Sequence, residues 1–362
     1  MKKFFLSMLF LSSAILTISQ PAENWYKVFT GKVGNLATTV HLHKAGKIYN
    51  GYAWFEQNQT PMQLSSYNVP KTDSILISGT ASMVSLVLTG ILTATSFIGN
   101  SQLIKEGSPV KAAGFQLLVS NEKTFSPFNY YTAEANDTMP AQYKNYSQFN
   151  YFSSAVWPTG TKPLDESLKK FIRTSLGMKT PATETGKYLI ETKNKLSKGW
   201  KAEYVRLTPK ETAELGMSLS HHEENTMLVM HENEKLISLA FYSFLEAGGA
   251  AHGNYGTSVA TFNKQSGKQL QLADILNPQG INLLPAILEQ VARILYNAKN
   301  NKPLDQNGFF VKKITPNKNM YVTGSGIGFM YAPYEIKSFA DGEINLLVPF
   351  TALKPYLLKS FQ

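Results

Sequence analysis

The chain contains no cysteine, which excludes a disulfide framework and any lipid attached to a cysteine after export. Only three of its 35 basic residues are arginine, namely Arg173, Arg206 and Arg293, and they lie far apart in the sequence. Nucleic-acid and phosphate sites favour clustered arginine side chains, so no nucleic-acid partner is expected. An HExxH motif and a nucleophile elbow around Ser or Cys are also missing, which removes the common signatures of a hydrolase.

The first 19 residues have the layout of a secretory signal peptide. Lys2 and Lys3 precede an uncharged run, Phe4–Ile18, and small residues follow up to a predicted cut before Gln20. The run is shorter than the ~20 residues of a spanning helix, so cleavage is favoured over an uncleaved anchor. Cleavage lowers the net charge from +10 to +8 and leaves no membrane span. We expect an exported protein, periplasmic or extracellular.

A length of 362 residues predicts two or three domains. Residues 20–122 contain short, regularly spaced β-rich segments, which predict an antiparallel β-meander or a small β-barrel. The strands in this module include Ile91–Ile98, with bends at Gly90 and Gly99. Residues 123–149 are rich in Asn, Ser, Thr and Pro but also in aromatics. They predict a linker that packs against the domains.

Residues 150–362 mix helical and strand patterns, which predicts an α+β domain with an antiparallel sheet covered by helices. Hairpin signals argue against an all-parallel sheet. The predicted helices are Leu164–Leu176, a short one after Thr208, Leu284–Tyr296 and one starting at Thr351. The predicted strands are Asn150–Trp157, Tyr188–Lys193, Trp200–Leu207, Asn225–His231, Leu236–Leu245, Gly326–Tyr331 and Glu343–Pro349.

The most distinctive stretch is Phe241–Ile275, where a glycine–alanine–histidine turn joins two strands. Two glycines at 248 and 249 permit close backbone approach and could present His252 as a general base. The sequence shows no partner residue that would let His252 act in catalysis. We therefore favour a structural role, in which His252 forms a hydrogen bond across the turn. Asp274 is expected to cap a short helix or turn.

Two other histidine pairs are candidate metal ligands. His41 and His43 lie two apart on a predicted strand and therefore share one face, but no third ligand is identifiable. The adjacent His221 and His222 would point to opposite faces of a strand. We therefore expect no metal and no cofactor.

Three segments, ISLAFYSFLEAGGAAHGN, GKQLQLADIL and GIGFMYAPYEIKSFADGEINLLVPFTALKPYL, resemble a pair of adjoining domains of unknown function. That pair forms the extracellular part of lysozyme-sensing anti-sigma factors of the RsiV type. It also forms the non-catalytic part of peptidoglycan deacetylases of the PdaC type. The resemblance covers roughly residues 145–357. The turn departs from the family's Tyr-x-Gly-Gly-Ala-His pattern by one extra small residue.

The resemblance implies an exported binding or accessory protein, because neither a sigma-binding segment with its span nor a deacetylase domain is recognisable. The expected partner is peptidoglycan, another envelope glycan or a lysozyme-like protein, bound without catalysis. A hydrolase using His252 and a purely structural assembly module are the alternatives. The candidate binding residues are Gly248, Gly249, His252, Asn254, Tyr255, Tyr331, Tyr334 and Glu335.

Overall fold

The computed structural model describes residues 24–55, 60–67, 74–81, 84–105, 108–121, 125–143, 145–179, 184–248 and 250–361. The predicted signal peptide, residues 1–19, and Gly249 of the predicted turn lie outside the described residues. The described residues form a barrel, a five-stranded sheet with helices, and a three-stranded sheet with helices.

Eight antiparallel strands near the N-terminus close into a barrel, which confirms the predicted all-β architecture and shows that the sheet is not open. Side chains alternate between the two faces of each strand, so one set of apolar residues fills the interior. Phe29, Leu42, Leu64 and Leu88 belong to this buried cluster. The strands are β1 (Trp25–Val33), β2 (Leu36–Ala45), β3 (Ile48–Phe55), β4 (Met62–Tyr67), β5 (Ile75–Ala81), β6 (Val84–Leu92), β7 (Ser96–Lys105) and β8 (Ser108–Val119).

Two glycines that suggested bends lie in the middle of barrel strands. Gly90 of β6 pairs directly with Gly99 of β7, so the strand predicted at Ile91–Ile98 is wrong and the chain turns at 93–95 instead. A Cβ on Gly90 would lie 2.2 Å, and one on Gly99 2.1 Å, from a carbonyl oxygen of the opposite strand. The glycines therefore allow a close approach of two backbones rather than a turn.

A five-stranded sheet follows, in the order β13-β12-β11-β10-β9. Only β10 and β11 pair in parallel, because three helices connect them, and the predicted hairpin of β11 and β12 is confirmed. The strands are β9 (Phe128–Thr138), β10 (Gln148–Pro158), β11 (His221–Glu232), β12 (Leu236–Ala247) and β13 (Asn254–Asn263). The helices are α1 (Pro163–Ser175), α2 (Thr185–Tyr204) and α3 (Pro209–Leu215).

The sequence-based prediction differs from this sheet at two places. Strand β9 lies inside the predicted linker at 123–149 and pairs along its whole length with β10. Helix α2 occupies the segment where two strands, Tyr188–Lys193 and Trp200–Leu207, were predicted, so both strands are wrong. The buried side chains of α2 include Leu189, Trp200 and Tyr204, whose spacings of eleven and four residues match whole helical turns. Burial against the sheet overrides the local β-propensity of these aromatic residues.

The C-terminal region packs helix α4 (Pro278–Leu295) against a three-stranded sheet of order β14-β15-β16. Its strands are β14 (Met320–Val322), β15 (Gly326–Tyr331) and β16 (Ile344–Pro349), and helix α5 (Phe350–Leu353) follows. The apolar face of α4 buries Leu284, Leu288 and Ala292 in the core of the C-terminal region. This arrangement completes the predicted α+β class. In the part of the chain that the structure describes, no helix is long and apolar enough to cross a membrane.

The barrel packs against the five-stranded sheet through the outer faces of its first three strands. Tyr52 of β3 shares an apolar cluster with Leu228 and Val259, on the sheet face opposite the helices α1 and α2. His41 and His43 point outward from β2 on the same face, as predicted, and both are buried in this contact. The two modules therefore share a continuous interface.

Candidate functional site

The glycine–histidine turn connects β12 to β13, and its His252 is exposed. The Nδ1 atom of His252 lies 3.1 Å from the Gly253 carbonyl oxygen, and its Nε2 atom lies 3.5 Å from the Tyr334 hydroxyl. The imidazole stacks on the Phe339 ring, with centroids 3.9 Å apart and planes inclined by 26°. The turn thus contacts a second loop, distant in sequence, which follows β15.

Four aromatic side chains meet at this contact, and we call His252, Tyr255, Tyr334 and Phe339 the aromatic surface. Phe339 lies at its centre, because the Tyr255 and Tyr334 rings are 5.5 and 5.6 Å from it. Tyr255 meets Phe339 edge-on, at 74°, an arrangement that aromatic pairs favour. Sequence reasoning missed Phe339, although it lies in the third segment of the family resemblance.

Tyr334 adopts an unusual backbone conformation. Its φ is +69°, in the left-handed region that bulky L-residues rarely occupy and that costs on the order of 1 kcal/mol or more. The Glu335 carboxylate holds the turn: it accepts hydrogen bonds from the Ala332 amide at 2.9 Å and from Asn317 Nδ2 at 3.0 Å. The strained turn presents the Tyr334 ring to solvent, 56% exposed. Glu335 therefore anchors the surface.

Two variants at Tyr334 test this strain. Tyr334→Gly and Tyr334→Ala both remove the ring, but only Ala keeps a Cβ that disfavours positive φ. We expect the Gly variant to be about 1 kcal/mol more stable than the Ala variant in urea unfolding, the reverse of the usual entropic order. An Ala variant that is equally or more stable would show that the left-handed conformation is not retained.

A polar groove of about 560 Å³ adjoins the aromatic surface and shares Tyr255 with it. Its lining includes the side chains of Asn225 and Ser243, the exposed Asn254, and Glu223, which accepts a hydrogen bond from Asn225 Nδ2 at 2.8 Å. These groups come from β11, β12 and the edge strand β13, which also carries Tyr255. The groove therefore offers amide, hydroxyl and carboxylate groups along the sheet edge that adjoins the aromatic surface.

Two of the remaining predicted binding residues are structural. Tyr331 is buried in the C-terminal core at 1% exposure, and its hydroxyl donates to the Thr315 carbonyl at 2.9 Å. A Cβ on Gly248 would lie 1.5 Å from the Ser218 carbonyl oxygen, so this glycine allows two backbones to touch. Of the predicted residues, the structure brings His252, Tyr255 and Tyr334 together.

A half-buried carboxyl group, that of Glu343, lies beneath this region. Glu343 accepts hydrogen bonds from the Thr257 amide and from Thr257 Oγ1, the latter at 2.7 Å. Burial raises the pKa of Glu343, because desolvation outweighs these two hydrogen bonds. Burial, and secondarily the Glu343 carboxyl, raises the pKa of the Tyr255 hydroxyl as well. Tyr255 is therefore a neutral hydrogen-bonding group at physiological pH.

The geometry does not supply the partners of a catalytic histidine. Within the described ranges, no carboxylate hydrogen-bonds to His252, and its contacts are a backbone carbonyl and the Tyr334 phenol. The same part of the chain contains no group of three or more potential metal ligands. His221 instead pairs with Glu223, at 3.2 Å, and Asp274 accepts a hydrogen bond from the Gln271 amide at 3.0 Å. The expected cap at Asp274 is confirmed.

Residues 273–351 match a family model described as a protein of unknown function, DUF3298. The chain contains a DUF3298 domain. A solved structure of a DUF3298 family member from Bacteroides fragilis NCTC 9343 superposes with a TM-score of 0.55 and 18% sequence identity. It covers 66% of this chain and 96% of its own. A DUF3298 family protein from Pseudomonas aeruginosa PAO1 gives a TM-score of 0.43, 17% identity and the same coverages. No curated protein sequence matches the chain.

The DUF3298 domain contains α4 and the three-stranded sheet, and it contributes Tyr334 and Phe339. His252 and Tyr255 come from the preceding five-stranded sheet, so the aromatic surface is built from both sides of this boundary. The likeness to the Bacteroides protein concerns the fold. Neither of these structures is described as an anti-sigma factor or a deacetylase, so that finer resemblance stays a prediction.

Proposed function

We propose that the protein binds a glycan of the bacterial cell envelope, without turning it over, through the aromatic surface. The observation that carries this proposal is Tyr334, a bulky residue in a left-handed conformation whose ring is exposed. Strained residues cluster at sites where the strain serves function, because surrounding structure must stabilise them. Here the Glu335 anchor holds the turn with the ring beside His252 and Phe339.

A sugar ring suits this surface chemically. Its apolar C–H face packs on an aromatic ring, and its hydroxyl groups need neutral donors and acceptors nearby. The adjoining groove supplies these groups through Asn225, Ser243 and Asn254. A peptidoglycan strand, with alternating sugars, would extend from the aromatic surface into the groove.

The hydrogen bonds of the nearby carboxylates favour binding without hydrolysis. Glycosidases use two carboxyl groups that flank the scissile bond. At the aromatic surface, Glu335 is engaged by a backbone amide and Asn317, and Glu343 is covered by Thr257. Neither is free to act on a bound sugar, and among the described residues no carboxylate hydrogen-bonds to His252. The carboxylate that lines the groove, Glu223, is engaged by His221 and Asn225.

Co-sedimentation with purified peptidoglycan sacculi tests the proposal. Tyr334→Gly is expected to reduce retention by about tenfold, the loss of one central aromatic contact. Tyr146→Ala is the matched control, because Tyr146 is a tyrosine that is 84% exposed and lies outside the site. It should be retained like the wild type.

Two outcomes would contradict the proposal. Release of soluble fragments that His252→Ala abolishes would identify a hydrolase. Failure of the wild type to sediment, together with capture of a lysozyme-like protein on an affinity column, would identify a protein partner instead.

A further inference from the structure

We propose that a cleft that begins between the barrel and the five-stranded sheet and continues along the C-terminal region is a second ligand site, for a neutral saccharide. The cleft has two adjoining chambers that share Asn233, Glu234 and Gly324 in their walls, and we call it the interdomain cleft. Ligand sites occur preferentially at domain interfaces, in cavities of roughly 300–1,000 Å³. The two chambers have volumes of about 340 and 670 Å³.

The inner chamber is built from both modules. Barrel strands β2 and β3 contribute Thr38, Thr39 and the indole of Trp54, and the end of β11 contributes His231 and Glu232. The Trp54 and His231 rings lie 5.4 Å apart and form one wall. This chamber therefore exists only while the barrel is packed on the sheet.

The outer chamber continues toward the C-terminus. Leu236 and Leu270 contribute apolar surface, and the Phe350 and Phe361 rings, 6.1 Å apart, stand at its far side. Aromatic side chains thus lie in both chambers, with the polar residues of the β11–β12 turn between them. That alternation suits a ligand with apolar ring faces and hydroxyl edges.

Two buried polar atoms at the inner chamber lack a protein partner. Glu232 has a fully buried side chain whose Oε1 accepts from Ser126 and from Lys264 Nζ, the latter at 2.6 Å. Among the described residues, no protein group hydrogen-bonds to Glu232 Oε2 or to Trp54 Nε1. Orphaned buried polar groups are rare and require an explanation. A hydroxyl group can donate to the carboxylate oxygen and accept from the indole N–H, so it satisfies both kinds of atom.

The charges around the cleft favour a neutral ligand. Three carboxylates, Glu232, Glu234 and Asp274, are balanced by Lys235, Lys268 and the Glu232 partner Lys264. Lys268 pairs with Asp274, so the fixed charges at the outer rim are already compensated. A phosphate or an ammonium ligand would meet no excess of opposite charge.

This site is separate from the aromatic surface. Glu232 ends β11 at the hairpin to β12, whereas the His252 turn lies beyond the start of β11, where His221 pairs with Ala247. A strand of this length places the two sites roughly 35 Å apart. The inference therefore does not rest on the proposed function.

The indole N–H resonance of Trp54 in a ¹H–¹⁵N correlation spectrum tests the proposal. The chain has four tryptophans, so Trp54→Phe assigns the resonance by its loss. Titration with N,N′,N″-triacetylchitotriose should move the Trp54 resonance downfield and saturably, while those of Trp25, Trp157 and Trp200 stay in place. The Tyr334→Gly variant should show the same shift, because its change lies at the other end of the sheet.

Calorimetry in the Tyr334→Gly background gives the second readout. Adding Trp54→Phe keeps an aromatic ring at this position but removes the indole N–H donor. It should lower the affinity for triacetylchitotriose about tenfold. An unmoved Trp54 resonance up to the solubility limit of the sugar would overturn the proposal. An equal shift with the cationic, deacetylated trimer would overturn the assignment to a neutral ligand. Failure of the wild-type protein to bind sacculi, together with an intact Trp54 shift, would contradict only the proposed function.

Discussion

Acidification from pH 7 to pH 5 is expected to lower the free energy of unfolding by on the order of 4 kcal/mol. The cause is three histidines in the contact between the barrel and the five-stranded sheet. Burial lowers the pKa of His41 well below its usual value, that of His43 to about 3 and that of His231 to about 4. These side chains are neutral in the folded protein throughout this pH range.

The sign follows from proton uptake by the unfolded chain. Above pH 6.5 both states hold the histidines neutral, and stability does not depend on them. Below that pH the unfolded state gains protons that the folded state excludes, which costs the fold about 2 kcal/mol per histidine at pH 5. Glu232 is buried and Glu224 and Glu343 are half-buried, and desolvation raises the pKa of all three carboxyls. They offset part of this loss because they take up protons in the folded state.

Urea unfolding at pH 7, 6 and 5 measures the effect, and His43→Leu isolates one group. His43 Nε2 accepts from the Val229 amide at 3.3 Å, so this variant starts from a lower stability at pH 7. Between pH 7 and pH 5, its free energy of unfolding should nevertheless fall by about 2 kcal/mol less than that of the wild type. If the free energy of unfolding of His43→Leu depended on pH as steeply as that of the wild type, this would contradict a buried, neutral His43 in the folded protein.

Gly328→Ala is expected to cost about 3 kcal/mol, the upper end for overpacking a core. Gly328 lies in β15 against the ring of Tyr321, and an added Cβ would lie 2.0 Å from the Cζ atom of that ring. The ring has no room to move, because Tyr321 is fully buried and its hydroxyl donates to Asn345 Oδ1 at 2.9 Å. The β14–β15 pair must therefore separate to admit one methyl group.

Gly199→Ala is the matched control for this change. Gly199 lies inside α2, and among the described residues no atom apart from its chain neighbours and the nearby helix backbone lies within 4 Å of an added Cβ. The same substitution should therefore stabilise the protein by about 0.5–1 kcal/mol through helix propensity. Urea unfolding of both variants at pH 7 gives the comparison. Equal effects of the two substitutions would show that Gly328 is not packed as described.

Sequence patterns predicted those elements whose buried face or hydrogen bonds depend on residues close together in the sequence. The alternation along β2 placed His41 and His43 on one face, and the hairpin signals around Asn233 identified β11 and β12. Thr208 and Glu211 form a capping box at the start of α3, the short helix predicted after Thr208. In each case the hydrogen bonds or side-chain faces repeat over short sequence distances.

The remaining features depend on contacts between distant segments. Helix α2 has weak local signals, and its identity follows from the sheet that buries Trp200. In the aromatic surface His252 packs on Phe339. No sequence pattern near Phe339 predicts this contact. The positive φ of Tyr334 is likewise fixed by Glu335 and Asn317, which the turn brings together. Sequence patterns could place these residues on loops but could not assemble them.

Calorimetric titration of the wild type and two Tyr334 variants with solubilised peptidoglycan fragments tests the proposed glycan binding most directly. Tyr334→Phe keeps the ring and should bind within about threefold of the wild type, since its hydroxyl makes only the 3.5 Å contact with His252. Tyr334→Gly should bind about tenfold more weakly, with its fold intact. Equal affinities of the wild type and Tyr334→Gly would contradict glycan binding at the aromatic surface.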